Sequence, residues 1–185
     1  MVHSWLWLIF ILAAFLVLLF LSYFNKIVVL SNRIDNAFSQ IDVQLKKRAD
    51  LVPNLIEAVK GYMKHERGIM TEVTNARKAL LAAGDMSQKL KAGDSLQNAL
   101  KSIFAIAENY PNLKANENFL NLQEQLGDIE NKIAYSRQFY NDSILSYNNT
   151  VKTIPGMWFA SLFKKTEKPY LEAKAEERKN VKVEF

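Results

Sequence analysis

The sequence predicts an all-α protein: an N-terminal transmembrane helix continuing into an extended antiparallel bundle of three long or medium helices, closed by a short C-terminal helix. Three observations predict it. Residues 5–24 (WLWLIFILAAFLVLLFLSYF) carry no charge, and a stretch of that length crosses about 30 Å of hydrocarbon. Among 185 residues there are only 6 glycines and 4 prolines, while Ala, Leu, Lys, Glu, Gln and Asn abound, a balance that favours long helices over strands. From Ile27 onward, apolar residues recur at every seventh position in two rows, which makes a seam along one helix face.

The N-terminal element, preceded by the short segment 1–4, has Trp5 and Trp7 at one end and Tyr23, Phe24 and Lys26 at the other, where an aromatic belt with a flanking cation belongs. A cleavable signal peptide is the alternative. The opening Met-Val-His-Ser lacks Lys and Arg, the apolar run is long, and no A-x-A site follows, so a retained anchor is expected. No charge precedes the span, whereas Lys26, Arg33, Lys46, Lys47 and Arg48 follow it. The positive-inside rule then places the N-terminus outside and the body in the cytoplasm.

The body, residues 25–163, is long enough for one core. One heptad row runs Ile34, Ile41, Arg48, Leu55, Tyr62, Ile69, Ala76; the other runs Phe38, Leu45, Val52, Val59, Glu66, Val73, Leu80. Because the phase does not change across Pro53, the pattern predicts a kinked but continuous first helix reaching about Ala83. The alternative is a second helix starting near Pro53 with Asp50 as its cap. Gly84-Asp85 is the first stop, and Gly93-Asp94-Ser95-Leu96-Gln97 reads as a capping box that opens the next helix. Its buried face ends at Tyr110, and Pro111 terminates it. A third long helix starts at a cap on Asn116 and stops at Pro155-Gly156. Met157–Phe163 (MWFASLF) is either a final core-covering turn, the preferred reading, or an exposed docking patch. The tail, 164–185, is charged, with a β-like end at Val181-Lys182-Val183.

Chemistry-bearing constellations are few. The chain has no cysteine, which excludes disulfides, thiolate zinc sites and cysteine nucleophiles. His65-Glu66 resembles the start of a zinc-binding H-E-x-x-H helix, but Ile69 stands where the second histidine belongs, and His3 lies across the span. No P-loop, G-x-S-x-G or G-x-G-x-x-G occurs, so no catalytic, cofactor or metal residues are assigned. The net charge of +5 is too mild for a nucleic-acid partner.

The seam charges Arg48 and Glu66 are the exception, since a buried charge needs a partner or water. Candidates on the third helix are Glu130 and Arg137. If the first and third helices run parallel with level distal ends, Glu66 meets Arg137 in a buried salt bridge and Arg48 pairs elsewhere. The pair acts as a register device or a subunit contact, or else both charges reach water at the bundle rim. Tyr140-Asn141 and Tyr147-Asn148 repeat one heptad apart, a spacing suited to hydrogen bonds between helices.

Three strings resemble the LemA family of bacterial membrane proteins: AFSQIDVQLKKRADLVPNLIEAVKGYMKHE (Ala37–Glu66), ENYPNLKANENFLNLQEQL (Glu108–Leu126) and ENKIAYSRQFYNDSILSYN (Glu130–Asn148), the last followed by Pro155. The resemblance implies a single-pass anchor in the bacterial inner membrane, extended antiparallel helices, no established catalytic activity, and relatives associated with magnetosome membranes. The expected role is a non-enzymatic scaffold or adaptor without cofactor or small-molecule substrate. Its partners would be the lipid bilayer and proteins, copies of itself included. The alternative is a receptor or sensor that transmits a signal through Pro53.

Overall fold

The computed structural model describes residues 2–171, with side chains from Trp5 onward. The β-like end at Val181–Val183 lies outside the described residues. Among the described residues the chain is all-α, with six helices and no strand. They are α1 (Val2–Lys60), α2 (Arg67–Ala82), α3 (Met86–Ala107), α4 (Pro111–Lys114), α5 (Glu117–Lys152) and α6 (Gly156–Leu162). The contacts divide it into two compact units. One combines the chain up to Ala37 with the part from Gln138 onward, and the other is Phe38–Arg137.

The second unit is built on the heptad seam. Ile41, Leu45, Ala49, Val52, Leu55 and Val59 of α1 are essentially inaccessible. The helix passes through Pro53 without a break, so Asp50 caps nothing and instead pairs with Lys46 on the exposed surface at 2.7 Å. The first helix nevertheless ends at Lys60, not near Ala83. A turn over 61–66 reverses the chain, anchored by Met63, whose N–H donates to the Val59 carbonyl at 2.9 Å and whose side chain is fully buried. The row Val59, Val73, Leu80 survives because the turn happens to preserve whole heptads, so an unchanged phase concealed the break.

This reversal corrects the topology. Within the second unit the segments of α1, α2, α3 and α5 run up, down, up and down, so those of α1 and α5 are antiparallel rather than parallel. Within the second unit Tyr62 meets Asn116 and Arg48 meets Glu130. The helix expected to open at Gly93-Asp94 starts earlier, as α3: Asp85 caps it by accepting from the Gln88 N–H at 2.8 Å, and Gly93-Asp94 falls inside it. Gly93 allows α3 to approach α1, since a Cβ there would lie 2.6 Å from Leu45 Cδ2. Asn116 caps α5, its Oδ1 accepting from Phe119 N–H.

In the first unit Ile27 and Ile34 of α1 and Ile144, Tyr147 and Val151 of α5 are buried. After Pro155 the chain turns into α6 at Gly156, where a Cβ would stand 2.1 Å from the Thr150 carbonyl oxygen. Only glycine fits beneath that carbonyl. The apolar stretch at the start of α1 is long and apolar enough to cross a membrane, and its side chains are exposed, Trp5 at 72% and Trp7 at 67%.

Candidate functional site

The second unit concentrates its buried charge at one level. Arg48, 1% exposed, enters from α1. One guanidinium nitrogen donates to the Gly93 carbonyl of α3 at 3.3 Å, and the other forms a salt bridge with Glu130 of α5. Arg137 of α5 pairs with Asp94 of α3 at 2.8 Å. Burial holds the Arg48 pKa below its ordinary value, opposed by the charge and hydrogen bond of Glu130 and assisted by the positive charge of Arg137. Nε of Arg48 and of Arg137 are buried and make no hydrogen bond to a described residue. The arrangement sets two charged pairs side by side in the second unit. It ties α1, α3 and α5 to a single register.

Glu66 and Arg137 therefore do not pair. The turn at 61–66 places Glu66 at the N-cap of α2, half-buried and without a side-chain capping bond, while Asp94, expected at a helix start and found inside α3, takes Arg137. The rim reading thus suits Glu66 and not Arg48, which is enclosed.

A third arginine serves Pro53. Proline has no N–H, which leaves the carbonyl four residues earlier without its helical donor. That carbonyl belongs to Ala49, and Arg77 of α2 donates its Nε–H to it at 2.8 Å. The proline opens an acceptor on α1 that α2 fills. The heptad pattern gave no sign of this partner, because it merged α2 into α1.

The first unit holds a different device. Asn148, 5% exposed, clamps the backbone of Lys168: its Nδ2 donates to the Lys168 carbonyl at 2.9 Å, and its Oδ1 accepts from the Lys168 N–H at 2.9 Å. Asn141 treats Leu171 the same way, at 3.0 and 2.9 Å. The Lys168 ammonium sits 5.3 Å from the centre of the Tyr147 ring. The repeated Tyr-Asn pairs thus hold an extended segment of the chain's own tail rather than bridging two helices. Burial raises the pKa of Tyr147, and burial together with the Asp35 carboxylate raises that of Tyr140.

Tyr23 and Phe24 carry a further aromatic cluster with α6. Tyr23 stacks on Phe159 at 5.1 Å, Phe24 meets Phe163 at 5.0 Å, and Phe20 meets both rings. Lys26 lies over the Tyr23 ring. Tyr110 is half-buried at the N-cap of α4, and Pro111 opens that short helix at N1 as well as ending the approach from α3. Among the described residues no three of His, Asp and Glu converge as a metal site would require. An open groove in the second unit is lined largely by amides, with Asn54, Asn118, Asn121 and Gln125 around Glu57.

The sequence pattern that defines the LemA family matches residues 37–185. The chain is 24% identical to Magnetosome protein MamQ of Magnetospirillum gryphiswaldense over 184 residues, covering 84% of this chain and 67% of the relative. It is 24% identical to Magnetosome protein MamQ 2 of Paramagnetospirillum magneticum, covering 83% and 66%. It is 28% identical to Protein LemA of Metamycoplasma hominis over 134 residues, covering 70% and 59%. The chain thus spans about two thirds or less of the length of these relatives. A match that takes in most of the sequence, with the turn at 61–66, all 4 prolines and the Asn clamps inside it, shows that this chain belongs to the LemA family.

Proposed function

We propose that the chain is a non-enzymatic, membrane-anchored scaffold or adaptor that presents helical surface to protein partners, copies of itself included. One observation carries this reading: α1 runs without interruption from the apolar stretch at 5–24 into the packed bundle helix ending at Lys60. Membrane attachment and partner-facing surface then share one continuous helix, which suits positioning better than turnover. The apolar side chains Tyr135 at 69%, Val43 at 50% and Leu120 at 47% exposure offer contact points outside the core. The relatives' names refer to magnetosomes and not to a reaction.

The proposed location is the bacterial inner membrane with the N-terminus outside, on the strength of Lys26, Arg33, Lys46 and Lys47 following the span. Crosslinking in intact cells followed by mass spectrometry of the captured proteins tests the scaffold. Recovery of discrete protein partners or of self-crosslinked chain is the expected result. A chain that stays uncrosslinked and monomeric in mild detergent sinks the reading. For the orientation, a tag after Phe185 should resist external protease in spheroplasts, and its cleavage reverses the placement.

A second reading draws on Pro53. Because Arg77 holds Ala49 through the gap that the proline leaves, α2 is latched to α1 by a bond that can open, which suits a receptor or sensor. Pro53→Ala would then alter the crosslinked partner set at unchanged thermal stability; an unaltered set rules out this second role.

A further inference from the structure

The outer face of α6 is unaccounted for by the core. Trp158 is 62% and Leu162 66% exposed, and both lie on one side of the helix, four residues apart. Met157 beside them is 42% exposed, and Ile154, just before the turn, 68%. The opposite side carries Phe159 and Phe163, which pack against Phe20, Tyr23 and Phe24. Those three rings belong to the last turn and a half of the apolar stretch 5–24.

These contacts fix the height of α6 along the span. If residues 5–24 cross a bilayer, Phe20 lies only about 6 Å inside the end of the span, so a helix stacked on it cannot stand clear of the membrane. We infer that α6 is an interfacial helix seated in the same leaflet, with Met157, Trp158 and Leu162 immersed in lipid at the boundary between acyl chains and headgroups. The side-chain types fit that depth. Tryptophan and a short aliphatic set favour the boundary, and Lys164 and Lys165, both exposed, follow at once where anionic headgroups lie. The covering partner is lipid because the exposed face continues the lipid-exposed surface of the span. The inference rests on the anchor reading and adds to it a second, parallel contact with the leaflet.

Bromine-labelled lipids test it on the full chain. The protein has 3 tryptophans, so Trp5→Phe with Trp7→Phe leaves Trp158 as the only emitter. It is reconstituted in vesicles of phosphatidylethanolamine and phosphatidylglycerol brominated either near the headgroup end or near the methyl end of the chains. Two companion proteins lack all native tryptophans and carry Phe10→Trp, reporting the span, or Leu145→Trp, reporting an exposed site on α5. The expected result is that Trp158 loses most of its emission to shallow bromines and less to deep ones, Phe10→Trp is quenched strongly, and Leu145→Trp is unaffected. Quenching at position 10 without quenching of Trp158 overturns the interfacial helix and leaves the anchor standing. Absence of quenching at both positions overturns the anchor and the inference with it. Protection of Trp158 from both bromolipid and aqueous acrylamide means that protein covers α6, which also overturns the inference.

Discussion

The two units reach the same result, helices locked in register, by opposite chemistry. Phe38–Arg137 relies on charge: Arg48 with Glu130, Arg137 with Asp94, and Arg77 on the open carbonyl of Ala49. The unit formed with the apolar helix relies on rings and amides: Phe20, Tyr23 and Phe24 against α6, and Asn141 and Asn148 on backbone. Buried ion pairs penalise any slip by stranding a charge, whereas stacked rings tolerate sliding and need a steric stop. The first unit has such a stop in Gly156. The comparison predicts that single polar substitutions damage the charged unit most, while size changes damage the aromatic one.

The largest effect should come from Glu130. Glu130→Gln leaves Arg48 enclosed without its counter-charge, a loss of about 3 kcal/mol, at the lower end for buried pairs because the Glu130 side chain is 32% exposed. Replacing both partners, Arg48→Met with Glu130→Leu, should recover most of it in denaturant unfolding. If the double variant is as unstable as the single one, the charge is not what costs. Gly156→Ala comes next, at about 2–3 kcal/mol, since the new methyl would meet the Thr150 carbonyl and not a side chain that can rotate away. An unshifted melting temperature would show that α6 is not held under that carbonyl.

Asn148→Ala removes two hydrogen bonds to Lys168, worth about 2 kcal/mol together. Hydrogen exchange should accelerate at the amides of Lys168 and its neighbours while the second unit is unchanged; protection that persists would break the clamp. Arg77→Ala should cost about 1 kcal/mol, and less in a Pro53→Ala background, where a restored helical N–H satisfies Ala49. Equal losses in both backgrounds would separate Arg77 from the proline.

The smallest effect is a pH dependence confined to alkali. The folded pKa values of Tyr140 and Tyr147 are raised above the unfolded value of about 10. Their contribution is therefore complete below pH 10 and is lost as pH rises through the folded values. The tyrosinate absorbance of these two rings should appear only above pH 10, together with loss of hydrogen-exchange protection at Lys168 and Leu171. Titration of both rings at the unfolded value would contradict their burial.

Most of the helical content was legible because heptad periodicity and composition are local signals. Ile34, Ile41, Leu45 and Leu55 were read as core and are core. The turn at 61–66 was hidden because it spans a length that returns the seam to phase, so nothing in the period marked it. From that one concealment followed the parallel assignment of α1 and α5 and the Glu66 to Arg137 pair. The oddity of an arginine on an apolar row was plain, and Glu130 stood among its candidates. Its second acceptor was not legible, since Gly93 looked like a helix start and its carbonyl became available only once α3 began at Asp85. The Asn repeat was visible as a repeat, but amides bind helix, strand or turn alike, and its object depended on where the tail returns.

That repeat sets two rulers side by side. Along α5, Asn141 and Asn148 stand about 10.5 Å apart. Along an extended chain the three steps from Lys168 to Leu171 cover about 10 Å. Seven helical units and three extended ones almost coincide, so the helix reads its companion like a vernier, engaging every third residue regardless of side chain. Two matched marks suffice to fix the segment from Lys168 to Leu171 by length alone. Removing one residue between them would let either mark align and never both, leaving the segment held at a single point.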